Sequence, residues 1–246
     1  MTTDTRNLPR ADAKVLRAGG AHYSAFVGPP DHYDFMGASQ FRLLTTLGLR
    51  DHHKVLDFGC GSLRVGRLLL PYLLPDNYYG IDPNKWLIED AIRNEVGADQ
   101  IQLKQPKFSY NSDYKVDGFG VKFNFIVAQS IFSHCGRDLI ETALTNFRGS
   151  LADGGLILAT FVHQGSAGID QEYAGDGWVY PGCVAYAPET VLALIKHAGL
   201  VGDWIPWHHW QDWYLIAHAR WDLPAKSKHA HLSGTVLRDQ AFVGSS

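Results

Sequence analysis

The residues best placed for chemistry are two aspartates and two glycines. Asp57 lies near the end of Lys54-Val55-Leu56-Asp57-Phe58, and Gly59-Cys60-Gly61 follows directly. An apolar strand that ends in a carboxylate and runs into a glycine turn lets a ligand approach the backbone closely, because glycine reaches conformations closed to bulkier residues. Asp82 ends a second apolar segment, Tyr78-Tyr79-Gly80-Ile81. A carboxylate at the end of the second strand is placed to accept hydrogen bonds from both hydroxyls of a ribose. Together these residues describe a site for an adenosine-bearing cofactor.

Two such cofactors compete. A nicotinamide dinucleotide needs G-x-G-x-x-G, with its pyrophosphate on a helix N-terminus. Here the turn reads Gly59-Cys60-Gly61-Ser62-Leu63-Arg64, so an arginine replaces the third glycine, and Asp57 sets a negative charge near the pyrophosphate position. S-adenosylmethionine (SAM) carries no phosphate. Its methionyl ammonium wants carboxylates and carbonyls, which this turn supplies.

The elements that must hold these residues alternate along the chain. Apolar residues at helical spacing (Met36, Leu43, Leu44, Leu47) predict an amphipathic helix from Tyr33 to Leu47. A first strand is expected at 54–58, then a helix capped by Ser62 and running towards Pro71. Next come a strand at 78–82, a helix at 84–97 stopped by Gly97, and a less distinct third strand within 101–109. A strand at 122–130, a helix at 137–151 and a strand at 154–162 follow. A helix over 188–200 and strands near 200–207 and 213–220 complete the series. Strands alternating with helices predict an α/β fold with a parallel sheet covered on both faces. The last two strands are joined by only His208-His209-Trp210-Gln211-Asp212, too short for a parallel crossover, so they must be antiparallel.

At this point the chain resembles a class I (Rossmann-like) SAM-dependent methyltransferase of the small-molecule type. Asp57-Phe58-Gly59-Cys60-Gly61 resembles that family's D/E-x-G-x-G motif. Tyr79-Gly80-Ile81-Asp82 resembles its second motif, which ends in the ribose-binding acid. Phe123-Asn124-Phe125-Ile126-Val127 resembles its fourth strand, and Leu151-Ala152-Asp153-Gly154-Gly155-Leu156 its turn before strand five. The sequence departs from the family at Leu63, where a third glycine is usual, at Asn124 for the fourth-strand acid, and at Asp153 for the turn proline. The resemblance implies a doubly wound, mostly parallel seven-stranded sheet with an antiparallel last strand. It also implies a single domain. An N-terminal arm and helix would occupy 1–50, the cofactor-binding core 51–162 and a lid-like insert 163–187, followed by a C-terminal helix and hairpin at 188–220 and a loosely held polar tail at 221–246.

The resemblance also implies site residues. Asp57, Gly59, Gly61 and Asp82 would bind SAM, with Asp113 at the adenine amino group and Gln129 at the methyl-transfer point. From its own place in the turn Arg64 would pair with the methionyl carboxylate or with Asp57, and Tyr33 and Gln40 of the first helix would close over the cofactor. His134 would take a proton from an acceptor hydroxyl or orient it, since imidazole titrates near neutral pH. Tyr173, Trp178, Tyr180 and Tyr186 would contact the acceptor, aromatic rings offering an apolar face with a polar tip. Each also has a plainer reading: Asp113 as a solvated loop carboxylate, His134 as a backbone-bonded imidazole, the insert aromatics as packing.

Composition narrows the functional classes. With 46% hydrophobic and 19% charged residues, the 246-residue chain is a folded globular protein. A net charge of −3, with no basic block interleaved with aromatics, argues against a nucleic-acid partner. No apolar run suits a membrane span, and the N-terminus lacks a signal peptide's apolar core. The three cysteines form no C-x-x-C pair, which suits a reduced cytoplasmic setting. Cys60 is expected to fill tight space in the turn. His208, His209 and Asp212 invite a metal reading, but adjacent strand residues point to opposite faces, so no metal site is expected. The expected activity is methyl transfer to an oxygen of a small-molecule acceptor: a natural product, sugar or carboxylate. A macromolecular acceptor (RNA or protein) and a non-catalytic SAM-binding module are the alternatives.

Overall fold

The computed structural model of the chain describes residues 5–207 and 210–233. Seven strands form one sheet: β1 (Val55–Phe58), β2 (Tyr78–Ile81), β3 (Lys107–Ser109), β4 (Phe123–Ala128), β5 (Leu151–Phe161), β6 (Val201–Ile205) and β7 (Asp212–Ala217). Their order is β3-β2-β1-β4-β5-β7-β6. Pairs among β1 to β5 are parallel, while β7 runs antiparallel to both β5 and β6. The chain moves outward from β1 to β3 and returns to β4 on the other side of β1. This reversal opens a crevice at the carboxyl ends of β1 and β4, where sheets of this kind bind ligands.

Alternation along β1 splits its residues between the two faces. Leu56 and Phe58 join a core with Ile140, Leu144 and Phe147 of α7 (Arg137–Ser150) and Val191, Leu194 and Ile195 of α8 (Pro188–His197). Val55 faces the opposite core, with Leu43 and Leu44 of α3 (Tyr33–Thr46), Leu69 of α4 (Gly66–Tyr72) and Ile88 of α5 (Lys85–Ala91). Asp57 lies on this second side and accepts a hydrogen bond from Tyr78.

Several boundaries differ from the sequence expectation. Ser62 does not cap a helix: residues 62–65 form turns, and α4 starts at Gly66. The cause is Leu63, which holds φ +55° where the family's third glycine would stand. Its side chain is fully buried, and that packing offsets a left-handed conformation costing about 1–2 kcal/mol. The expected helix at 84–97 is α5 followed by a π-helical turn, Ile92–Val96, ended by Gly97. The ambiguous 101–109 segment divides into α6 (Ala98–Lys104) and β3. Strand β5 begins at Leu151, because Leu151-Ala-Asp-Gly-Gly bulges against β4 instead of preceding the strand. The described part of the tail is packed, with Leu223 and Leu232 buried.

The N-terminal arm is ordered by two short helices, α1 (Arg10–Ala13) and α2 (Tyr23–Phe26). Arg6 pairs with Asp90 at 2.8 Å, Arg10 with Glu95 at 3.1 Å, and Tyr23 donates to Glu95 at 2.6 Å. Asp90 and Glu95 are buried carboxylates on and after α5, so these contacts fasten the arm beside the crevice. No helix among the described residues is long and apolar enough to cross a membrane.

Candidate active site

The crevice is a cleft of about 870 Å³. Loops after β1, β2 and β3 line one half, and segments after β4, β5 and β6 line the other. The arm residues Phe26, Val27 and Gly28 line it as well.

The first half is built on the glycine turn. Gly61 has φ +50°, and its N–H donates to Asp82 Oδ2 at 2.9 Å, so turn and second aspartate form one unit. Asp82 Oδ1 accepts from the backbone N–H (2.8 Å) and side-chain amide (3.1 Å) of Asn84. Burial still pushes the Asp82 carboxyl above its ordinary value against these donors. Asp57 is also buried, and burial pushes its pKa up to about 6; the Tyr78 hydroxyl, donating at 2.7 Å, and the Arg64 charge oppose this. Arg64 is buried beside it. Its Nη1 donates to the Val27 carbonyl at 2.8 Å, tying arm to turn. Burial draws its pKa down, against the pull of Tyr33 and Asp57. Cys60 is buried with a thiol pushed far up by burial, so it packs as a small neutral group.

The second half centres on His134, in the 3-10 turn Phe132–His134 after β4. Its Nδ1 lies 2.6 Å from the Gly182 carbonyl and can only donate to it, which makes Nε2 the basic nitrogen. Burial lowers its pKa. The insert is laid across this turn by backbone bonds: Gly136 N to Gly177 O, Val179 N to His134 O and Val184 N to Ser133 O, at 2.8–3.0 Å. These bonds bring Trp178 and Tyr180 edge-on to the imidazole, with ring centroids 5.5 and 5.0 Å away. Tyr180 OH also donates to the Phe26 carbonyl, joining insert to arm.

Of the sequence-derived candidates, Gln40, Asp57, Gly59, Gly61, Arg64, Asp82, Gln129, His134, Trp178 and Tyr180 line the cleft. Four others do not. Asp113 is exposed and paired with Lys115 at 3.0 Å, which holds its carboxyl below the ordinary range. Tyr173 donates to Asp176 O and supports the insert from outside the cleft. Tyr186 is fully buried and donates to Cys135 O at 2.8 Å. Tyr33 is buried under the glycine turn, donating to Ser62 O at 2.6 Å. His208 and His209 lie outside the described residues. Asp212 accepts from Trp204 Nε1 and contacts His163 Nδ1. Among the described residues no cluster could hold a metal ion.

Sequence reasoning missed Asn111, Trp210 and Gln211, which line the cleft. Asn111 lies two positions before Asp113, in a loop whose register no pattern sets. Its Nδ2 bonds Ser109 and the Lys115 carbonyl, and its Oδ1 is buried without a partner. Trp210 and Gln211 belong to the connection read only as a turn.

A family profile described as "Methyltransferase domain" matches residues 56–157, the stretch holding the turn, Asp82 and His134. Residues 56–157 carry a methyltransferase domain. Solved structures share the methyltransferase's fold. The CcbJ methyltransferase from Streptomyces caelestis is 14% identical with a TM-score of 0.60, covering 78% of this chain and 97% of its own. The magnesium protoporphyrin IX methyltransferase of Synechocystis PCC 6803, with bound SAM, is 13% identical with a TM-score of 0.54, covering 89% and 99%. A SAM-dependent methyltransferase from Clostridium acetobutylicum is 14% identical with a TM-score of 0.55, covering 75% and 91%. No curated protein matches. The cleft of this methyltransferase suits its cofactor. Gln40 Oε1, Arg64 Nε and Asn111 Oδ1 are buried without hydrogen-bond partners among the described residues, a mixed donor and acceptor set beside two carboxylates.

Proposed function

We propose that this methyltransferase methylates a hydroxyl of a small-molecule acceptor, with His134 as the general base. The carrying observation is the His134 Nδ1 bond to Gly182 O, which fixes the tautomer and leaves Nε2 free to take a proton within the cleft. The magnesium protoporphyrin IX methyltransferase of similar fold, named for a small molecule, supports this substrate size.

The residue roles follow from what each atom can still do. Asp82 keeps acceptor capacity beyond its bonds to Gly61 and Asn84 and would receive the ribose hydroxyls. Asn111 Oδ1 would accept from the adenine amino group, the role first expected of Asp113. Asp57 and the Gly59 region would face the methionyl ammonium, and Arg64 Nε the carboxylate, with Gln40 and Gln129 completing the wall. When bound, SAM supplies an electrophilic methyl group on a positively charged sulfur. The protein's own work is to exclude water with arm and insert, align the acceptor oxygen and remove its proton, alignment supplying much of the rate.

His134→Gln keeps the size and polarity of the imidazole but removes the base. It should lower kcat about a hundredfold or more, with SAM affinity by calorimetry within twofold of the parent. In the parent, kcat should rise with pH on a limb below the ordinary histidine value of 6.5, because burial lowers the His134 pKa. A variant with parental kcat would reduce His134 to a structural residue.

A further inference from the structure

We infer that the acceptor is an uncharged aromatic alcohol, held by the tryptophans of the insert and of the β6–β7 connection. This rests on the proposed O-methylation and narrows its substrate class.

Charge comes first. Among the described cleft residues, the carboxylates and the guanidinium are Asp57, Asp82 and Arg64, all in the cofactor half. In the acceptor half, a carboxylate or ammonium on the acceptor would lose water and meet no fixed counter-charge. Desolvation without compensation selects against charged acceptors.

Hydrogen-bonding capacity comes second. Ser130 and Gln211, which line that half, are engaged with each other and with Thr160 and Ser133. Thr160 Oγ1 donates to Gln211 Oε1 at 2.6 Å, Ser130 Oγ approaches the same oxygen at 3.3 Å, and Gln211 Nε2 donates to Ser133 Oγ at 3.2 Å. The Ser130 backbone N–H is satisfied by Thr160 Oγ1 at 2.8 Å. A sugar brings several hydroxyls that each need a partner, and this network offers few.

Ring surface comes third. Trp178 and Tyr180 lie nearly parallel, 23° apart with centroids at 6.1 Å. Trp210 stacks on His32 of the arm at 4.3 Å and 11°, with Phe35 edge-on to it at 6.2 Å. Tyr180 is backed by Phe26 at 5.4 Å. Trp178 and Trp210 nevertheless remain 50% and 43% exposed, although both line the cleft. Rings braced from behind and open in front are pre-organised to receive a flat apolar body.

The transfer balances on these groups. The acceptor oxygen forms a bond to the methyl carbon as the carbon–sulfur bond breaks. The bonding pair stays on sulfur, now a neutral thioether, and the hydroxyl proton goes to His134 Nε2.

The test compares three probes with the full chain saturated with S-adenosylhomocysteine, by calorimetry, and with SAM, by mass spectrometry. The probes are 4-phenylphenol, 4-(4-hydroxyphenyl)benzoate and methyl glucoside. The phenol should bind at least tenfold more tightly than the benzoate and far more tightly than the glucoside, and should be O-methylated. Trp178→Ala and Trp210→Ala should each weaken phenol binding at least fivefold, with S-adenosylhomocysteine affinity within twofold. Trp178→Phe should recover most of the loss, which separates ring contact from misfolding. Glucoside or benzoate bound as well as the phenol and methylated would overturn this inference and leave O-methylation standing. Phenol bound as expected, with no probe methylated, would instead overturn the methyl-transfer reading and leave the aromatic acceptor site intact. Binding of none of the three, with cofactor affinity normal, overturns the aromatic assignment.

Discussion

Replacing Asp57 with asparagine should flatten part of the protein's stability profile between pH 4 and 7. The side chain is buried with the Tyr78 hydroxyl at 2.7 Å, and burial raises its pKa from the ordinary 3.8 to about 6. The folded chain therefore binds this proton more tightly than the unfolded chain. The resulting stabilisation is complete below 3.8, declines as pH rises, and is lost above about 6. At roughly 1.4 kcal/mol per pH unit, the gap corresponds to about 3 kcal/mol between the two limits. Asparagine preserves an oxygen for Tyr78 but does not titrate, so that component vanishes in the variant. Asp82, also raised by burial, remains in both proteins and largely cancels in the difference. Urea unfolding of the cofactor-free proteins at pH steps from 4 to 8 measures this directly. The variant should gain about 3 kcal/mol on the parent as pH rises across the window. At pH 8 it should also bind SAM more weakly, having lost the charge proposed to face the ammonium. Parallel stability curves for the two proteins would refute the assignment of a raised pKa to Asp57.

Asp82→Ala removes the acceptor for Gly61 N–H and the proposed ribose ligand together. At about 1.5–3 kcal/mol per hydrogen bond to a charged group, SAM affinity by calorimetry should fall at least tenfold; an unchanged value would remove Asp82 from the site. Gly59→Ala drives a Cβ against Ile131 Cδ1 at φ +71°. It should destabilise the fold by about 1–3 kcal/mol in urea melts and weaken SAM binding as the turn shifts. Tyr33→Phe removes the buried bond to Ser62 O and should cost about 1–3 kcal/mol in the same assay, with loss confined to the noise level arguing that the turn does not need this support.

Much of the fold was legible because its signals are local. Apolar runs of strand length, a carboxylate before two glycines and a short β6–β7 connection determine strand identity, cofactor turn and antiparallel ending without reference to distant residues. The helix after β1 starts later than its sequence suggests because Leu63 adopts the left-handed conformation of a glycine, made tolerable by burial of its side chain. Asp113 and Asn111 are both polar residues in one loop, and the sequence carries no period to say which turns inward.

Local sequence is enough for the half proposed to hold the cofactor. Asp57, Gly59, Gly61 and Asp82 stand at strand ends and in a tight turn, which short-range patterns specify. The half proposed for the acceptor depends on tertiary contacts. His134 acquires a defined tautomer from Gly182 in the insert, and Tyr180 reaches the arm at Phe26. Trp210 stacks on His32, far away in sequence. Those contacts depend on where three irregular segments are brought by a sheet that reverses direction at β1 and β4, and no local pattern encodes that convergence.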